Sequence, residues 1–575
     1  LIALMPAMAA VWAVPWFITQ DSPAHVYNAE ILSRSLDPAS PFGGTFAIRW
    51  QPIPNWVGHL LLAGLVRIVP AWAADRIMTS LTLAGFAAAI FWLRLRISGP
   101  GSGNGVGTKH LPAAMLATLL AMNMTWLFGF TSFTLGACLF PITLGFWWPR
   151  RDRLGAAGVA GLSVLLVLGY FCHLVSLGLT VIGLAVLAVA SPLPESESGA
   201  GSFWRRARSR LVPMGVAMLP MVPLGLMYLG LAHRGGPLHP EWANLGDPMT
   251  LSGWKNQLTW ADPITLARKD ALPFTDRVGA VYILFAPVCW MTGALFFWGV
   301  ARAADRLRGG RDADGVGKRE GATLEVPAGS IAAGGRGAWW MLAALLIVGG
   351  IAGPDTLGPE HGNYLPQRIV LFGLVALAVA IEIDVRRWPG RIAAAGLAVA
   401  VMLQSAIVWD YALHSDRTAG EIVRARDAVG RGRRVAFLPA TVRSRFRANP
   451  LIHIDNWLGV DTDNIIWGNY ETRHYYFPVQ FRPGIDRPLP DELEDIMRLD
   501  GPDDAGRRAR SWADLLSRQA DAIDVLVAYK SDPMLDRISA RYFREVERRG
   551  EVRILARDRY PSLSSTAGAS GRPDD

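Results

Sequence analysis

The sequence predicts a polytopic α-helical membrane protein of about eleven spans, followed by a C-terminal α/β domain outside the membrane. Three observations carry that prediction. Hydrophobic residues make up 51% of the chain and charged ones 18%, too apolar a balance for a typical soluble protein. The apolar residues come in blocks of about 16–23, the length that covers a hydrocarbon core of roughly 30 Å. From about Ala412 the composition turns charged and mixed, and no later block is long enough to cross.

Taken in order, the blocks place spans near 1–19, 77–96, 111–127, 129–148, 154–171, 173–190, 212–232, 278–300, 338–353, 367–385 and 391–409. The chain opens at Leu1 with neither Met nor a basic n-region, and no A-x-A-like site precedes Gln20, so a retained, shortened first helix is expected. The block 55–70 (NWVGHLLLAGLVRIVP) carries His59 and Arg67 between Pro52, Pro54 and Pro70. It reads as a surface-lying amphipathic helix rather than a crossing. The split of 154–190 at Phe171, Cys172 and His173 is required by the parity of crossings.

Orientation follows from positive charge. The connections around RLRISGPGSGNGVGTK, PRRDR, RRARSR, 302–336 and VRRWPGR hold twice the Lys and Arg of the opposite set 20–76, 233–277 and 354–368, over fewer positions. The first set is therefore cytoplasmic, and the loop 20–76 and the tail lie outside. Loops 98–109, 194–210 and 308–337, rich in Gly, Ser and charge, read as flexible connectors.

In the tail, VAFLP (435–439) and DVLVAY (524–529) read as strands, and 418–429, 491–499 and 511–521 as helices. RYFREVERRG reads as a helix and EVRILARD as an edge strand after it. The organisation is a transmembrane domain 1–411, an extracytoplasmic α/β domain 412–560 and a disordered end 561–575. DTD at 461–463 reads as a turn, with the Asp-x-Asp metal motif as the alternative. NYETRHYYFPVQFRP (469–483) reads as buried core, with stacking on a sugar ring as the alternative.

The net charge of +9 does not indicate nucleic acid, because the Arg clusters sit between apolar blocks as topology signals do. Cys138, Cys172 and Cys289 lie in or beside apolar blocks and form neither a CxxC site nor a disulfide framework.

The chemistry is expected in QDSPAHVYNAE, where the chain leaves the first span. Asp21 is a candidate catalytic acid, though D-S-P also makes a good helix start that Asp21 would cap. Its neighbours His25, Tyr27 and Glu30 share the outer side with Arg49, His59, Glu360, His361 and Arg368, and His173 sits at an outward helix turn. One acid near a membrane with several cations suits reaction on a lipid-linked phosphate. The carboxylate accepts a proton, and Arg and His offset charge on the leaving phosphate.

At these residues the chain resembles the GT-C glycosyltransferases, integral-membrane enzymes that use polyprenyl-phosphate-linked sugars. The resemblance lies in the order of parts: a first helix, an outward loop opening on Asp21, the Pro-led segment QPIPNWVGHLLLAGLVRIVP, and AADRIMTSLTLAGFAAAIFWLRLR. GFTSFTLGACLFPITLGFW, the H-L-V-S at 173–176 and the closing α/β domain continue it. It implies Asp21 as the general base and Arg368 as a ligand of the lipid phosphate; His25, Tyr27, Glu30, Arg49, His173, Glu360 and His361 complete the candidate substrate-binding set by sharing the outer side. Arg368 and His361 would hold phosphate. It also implies a GT-C-like fold, a polyprenyl-phosphate sugar as donor, inverting transfer and a place in a bacterial cytoplasmic membrane. Two signatures are missing: a paired D-E after the first helix, as in protein mannosyltransferases, and the W-W-D-x-G of oligosaccharyltransferases. No residue is assigned to a metal and no cofactor is firmly implied, so a divalent metal, the acceptor and the oligomeric state stay open. The alternatives are a transporter or flippase of lipid-linked saccharides, which should carry ionisable residues at midspan depth, and an assembly protein.

Overall fold

The structure is a computed structural model of the chain. It describes all residues except 1, 36, 38–39, 99–109, 192–199, 234–235, 269–283, 314–332, 359–361, 500, 502 and 558–575. Glu360, His361, most of the loops 98–109 and 308–337, and the end 561–575 lie outside the described residues. The chain divides into two compact units. One holds Leu1–Ala9, Ser80–Trp126 and Thr131–Trp409; the other holds Ala10–Thr79, Leu127–Phe130 and Asp410–Asp575.

The first unit is helical. Over the whole chain, three described helices are long and apolar enough to cross a membrane: Ala71–Ser98, Gly335–Ala352 and Trp388–Val429. Trp204–Met218 and Met221–Ala232 make a fourth if the pair, bent by 59°, is one span. Shorter apolar helices stand at other expected spans, including Ile2–Ala13, Leu111–Leu127, Ala156–Cys172, Leu174–Ala190 and Leu365–Ala380. A 17-residue helix rises about 25 Å, somewhat less than a full hydrocarbon core. The structure thus supports a mostly helical protein with several apolar spans, a coarser statement than eleven.

Helix breaks have local causes. At His173 the backbone turns extended (φ −166, ψ 130), and the imidazole Nδ1 accepts the Val175 N–H at 3.2 Å, capping Leu174–Ala190. The expected span 111–127 is interrupted because Asn123 Oδ1 accepts from Thr125 Oγ1 (2.6 Å) and Trp126 N (3.1 Å), ending one helix and starting another. Between Met218 and Met221 stands Pro220, which lacks the N–H a continuous helix needs. The stretch read as a flexible loop to Arg210 is helical from Ala200, and Arg210 pins it through Asp152 (2.7 Å) and the carbonyls of Ala188 and Ser191 (both 3.0 Å). Helices approach closely at small residues. A Cβ at Gly373 would lie 2.7 Å from Ile347 Cγ1 and 2.9 Å from the Ile347 nitrogen.

The second unit is built on a five-stranded sheet of order β3-β2-β5-β7-β6. Here β2 is Arg434–Pro439, β3 Ile465–Ile466, β5 Val525–Tyr529, β6 Arg544–Arg549 and β7 Val552–Ala556. β2 pairs in parallel with β3 and β5, while β7 runs antiparallel to β5 and β6. Helix Ala505–Gln519 buries Arg508, Ala509, Trp512, Leu515 and Leu516, one face at helical spacing.

Two expectations for the tail are corrected. The segment containing REVERR is a strand, not a helix, and it forms the sheet edge, so VRILA is an inner strand. Gly550 at φ 59 closes the hairpin, and the charged side chains of REVERR suit an edge exposed to water. The helical stretch from 418 is also not separate, because Trp388–Arg424 runs on unbroken from the expected last span.

A second, two-stranded sheet positions the site. β1 (Phe46–Ile48) pairs antiparallel with β4 (Val479–Phe481), and Phe46 stacks on Phe481 at 4.9 Å. This ties the first loop to the end of the aromatic segment 469–483. Helix Trp56–Leu65, ten residues long and about 15 Å by helical rise, is too short to cross a bilayer.

Gly373→Leu should overpack the crossing with Ile347. We expect a loss of about 1–3 kcal/mol, read as a lowered thermal midpoint of the purified protein in detergent. An unchanged midpoint would mean that the two helices separate at no cost.

Candidate functional site

Helix Ser22–Ser33 (SPAHVYNAEILS) starts with a Pro in its first turn and Asp21 at the N-cap position. Residues 22–32 are all buried, although four of them are His25, Tyr27, Asn28 and Glu30. Buried polar groups must be paired, and each of these is. The Tyr27 hydroxyl donates to the Asn464 carbonyl at 2.7 Å and accepts from the Ile466 N–H at 3.3 Å, so it clamps the helix to β3. Asn28 and Asn469 exchange amide hydrogen bonds of 3.0 and 2.8 Å. Glu30 accepts the Asp461 N–H at 2.9 Å and Arg34 Nη1 at 3.4 Å. DTD is a turn, with Asp461 and Asp463 in the left-handed region (φ 56 and 60) and Asp463 paired with Arg34.

Asp21 occupies the cap position without capping: its side chain makes no bond to the helix N–H groups. Its Oδ2 accepts instead from the Tyr470 hydroxyl at 3.1 Å, and the group is 6% exposed. Burial pushes the Asp21 carboxyl from 3.8 up to about 7, against the opposing pull of His25 and of the Tyr470 hydrogen bond. His453, in the left-handed region, stacks on Tyr470 at 4.2 Å and brings its Nε2 to 3.8 Å from Asp21 Oδ1. Burial holds His453 down at about 4, so at neutral pH it is an uncharged neighbour and not an ion-pair partner.

One helical turn past Asp21, His25 faces Glu471. His25 Nδ1 contacts Glu471 Oε1, and His59 Nε2 lies 2.7 Å from Glu471 Oε2, which also accepts from Asn28 at 2.8 Å. The two imidazoles meet edge to face, 5.4 Å between centroids. Burial disfavours charge on Glu471, but His59 and His25 hold its carboxyl well below the ordinary range. Burial likewise opposes charge on His25, yet Glu471 lifts the imidazole above its ordinary 6.5.

The remaining expected residues divide between the units. Arg49 lies in the same unit as Asp21, its Nη1 donating to the Tyr475 carbonyl at 2.7 Å and its backbone N–H to Pro478 at 2.8 Å. His173 and Arg368 lie in the other unit, where Arg368 Nη1 is 3.3 Å from His173 Nε2 and its guanidinium sits 5.0 Å over Phe133. His173 Nδ1 accepts the Val175 N–H, and the Arg368 guanidinium, which can only donate, faces His173 Nε2. The structure thus gathers Asp21, His25, Tyr27 and Glu30 on one helix and pairs His173 with Arg368. Sequence reasoning missed Tyr470, Glu471 and His453. Glu471 lies 446 positions from His25, inside a segment read for its aromatics, and nothing local marks it.

No protein-family model matches the sequence, and no curated protein matches it. Among solved structures the chain is similar to a cryo-EM structure of arabinofuranosyltransferase AftD from mycobacteria. The identity is 14% and the TM-score 0.44, over 96% of this chain and 39% of that one. The chain therefore spans about two fifths of that protein.

Burial lifts Glu30 from 4.5 to about 7. A raised carboxyl stabilises the fold fully below about pH 4.5, and that contribution fades as pH climbs through about 7. Wild type should thus lose up to about 3 kcal/mol between pH 5 and 8.5 from this group. Glu30→Gln, which still accepts the Asp461 N–H, should show a flatter decline in thermal midpoint. Equal slopes for the two proteins would refute the assignment.

Proposed function

We propose that this chain is a membrane glycosyltransferase. It moves a sugar from a polyprenyl-phosphate carrier to a hydroxyl of a glycan, lipid or protein at the outer face of the cytoplasmic membrane, with Asp21 as general base. The observation that carries the proposal is the state of Asp21. The ordinary reason for an acid at the start of a helix is to cap it, and this carboxyl does not. It is buried, hydrogen-bonded to Tyr470 and tuned to about 7, which suits a group that takes a proton at neutral pH. The order of parts along the sequence, which resembles the GT-C enzymes, supplies the reaction class.

In the reaction, the acceptor hydroxyl oxygen attacks the anomeric carbon on the face opposite the phosphate. Its proton passes to Asp21 as the C–O bond to phosphate breaks, and the electron pair leaves on polyprenyl phosphate. The Tyr470 hydroxyl orients the carboxylate. Charge growing on the leaving phosphate calls for fixed N–H donors, and the resemblance to the GT-C enzymes assigns Arg368 to that phosphate. His25 has both ring nitrogens engaged within the protein, so its role is to hold the helix that carries Asp21.

The test uses purified chain in lipid with a panel of polyprenyl-phosphate sugars and acceptors, measuring released polyprenyl phosphate. Asp21→Asn should lower kcat by about 10²–10⁴ with little change in donor KM. Arg368→Ala should mainly raise donor KM. Full activity in Asp21→Asn would remove Asp21 as base, and no release by wild type across the panel would remove the reaction class.

A further inference from the structure

The hydrogen-bond pattern around Glu471 poses a problem of proton count. His25 Nε2 lies 3.0 Å from the Gly129 carbonyl oxygen, and His59 Nδ1 lies 3.0 Å from the Asn55 carbonyl oxygen. A carbonyl oxygen only accepts, so both of these ring nitrogens carry hydrogen. In a neutral imidazole the other nitrogen then presents a lone pair. Those lone pairs, on His25 Nδ1 and His59 Nε2, both face oxygens of one carboxylate, which also only accepts. Acceptor faces acceptor twice, at side chains 6%, 1% and 0% exposed.

Two protons would resolve this, and Glu471 does favour one on His25, but the result is two buried imidazolium rings with centroids 5.4 Å apart. One divalent cation resolves it with both imidazoles neutral, the form in which histidine binds metal. The ligand atoms of His25, His59 and Glu471 all lie within 4.8 Å of one another. The surroundings have the form that orients metal ligands. Each histidine donates its far N–H to a backbone carbonyl, which sets its tautomer. Asn28 donates to Glu471 and is itself fixed by Asn469.

We propose that His25, His59 and Glu471 form a divalent-metal site of the two-histidine, one-carboxylate kind, suited to zinc. Its three ligands come from helix Ser22–Ser33, helix Trp56–Leu65 and the C-terminal part of the chain, so the ion fastens three segments that sequence keeps far apart. Three protein ligands leave a fourth position on the ion for water or another ligand, and the site ties down the first turn of the helix on which Asp21 sits. The proposal does not depend on glycosyl transfer.

Tag-free wild-type chain, incubated with Zn²⁺ and desalted, should retain about one zinc per chain by elemental analysis. Chelation should lower its thermal midpoint, and His59→Ala and Glu471→Gln should each retain at least about tenfold less metal. Where those variants fail to fold, wild type loaded with Co²⁺ decides, through the visible bands of a nitrogen- and oxygen-ligated ion. Wild type that keeps less than about 0.1 metal per chain and shows no Co²⁺ bands would overturn the site and leave a doubly protonated histidine pair. Full metal retention in folded His59→Ala would overturn it as well.

Discussion

A carboxylate placed where water does not reach, Glu471, organises the unit that contains Asp21. Left alone, such a charge would be among the most costly groups a fold can bury. Here it is surrounded by His25, His59 and Asn28, so every segment that supplies a partner must be present before the charge is tolerated. Removing one partner leaves the others facing an uncompensated group. The arrangement makes the first loop and the C-terminal segment mutually dependent, and the β1–β4 pairing beside it reinforces the same junction.

That dependence explains an otherwise odd helix. Ser22–Ser33 is polar in composition and yet buried along its length. Helices of this kind are stable only if tertiary partners satisfy each side chain, which Asn464, Ile466, Asn469, Glu471 and Asp461 do. The outcome is a rigid mount, and Asp21 stands at its end. Dry surroundings raise its pKa, and Tyr470 sets its orientation. Burial, which is a cost to stability, is what prepares this carboxyl for proton transfer.

Parts of this could be read without coordinates. Apolar blocks are visible because lipid-facing and core-facing helices both need them, and most described helices stand on the predicted blocks. Lengths and joins were less legible. From Ala200 the stretch before Arg210 is helical, and Asp152 and two carbonyls hold Arg210 in place. REVERR looks helical by composition, but a hairpin at Gly550 makes it an edge strand. In the site, Asp21 and His25 were visible because a carboxylate and an imidazole stand directly after an apolar block. Tyr470 and His453 were not, because their significance lies in what they touch.

The sequence by itself determined that this is a helix-rich chain with membrane-length apolar blocks, an acid at the end of the first of them and a mixed α/β segment at the end. Those properties follow from composition and period, which are local. Only the tertiary structure decided that Asp21 leaves its helix uncapped, that Tyr27 and Asn28 are clamps, and that His25 and His59 converge on Glu471. The reason is distance along the chain. Apart from His25, the residues that act on the charge state of Asp21 lie hundreds of positions away, and local pattern carries no record of which distant groups will exclude its water.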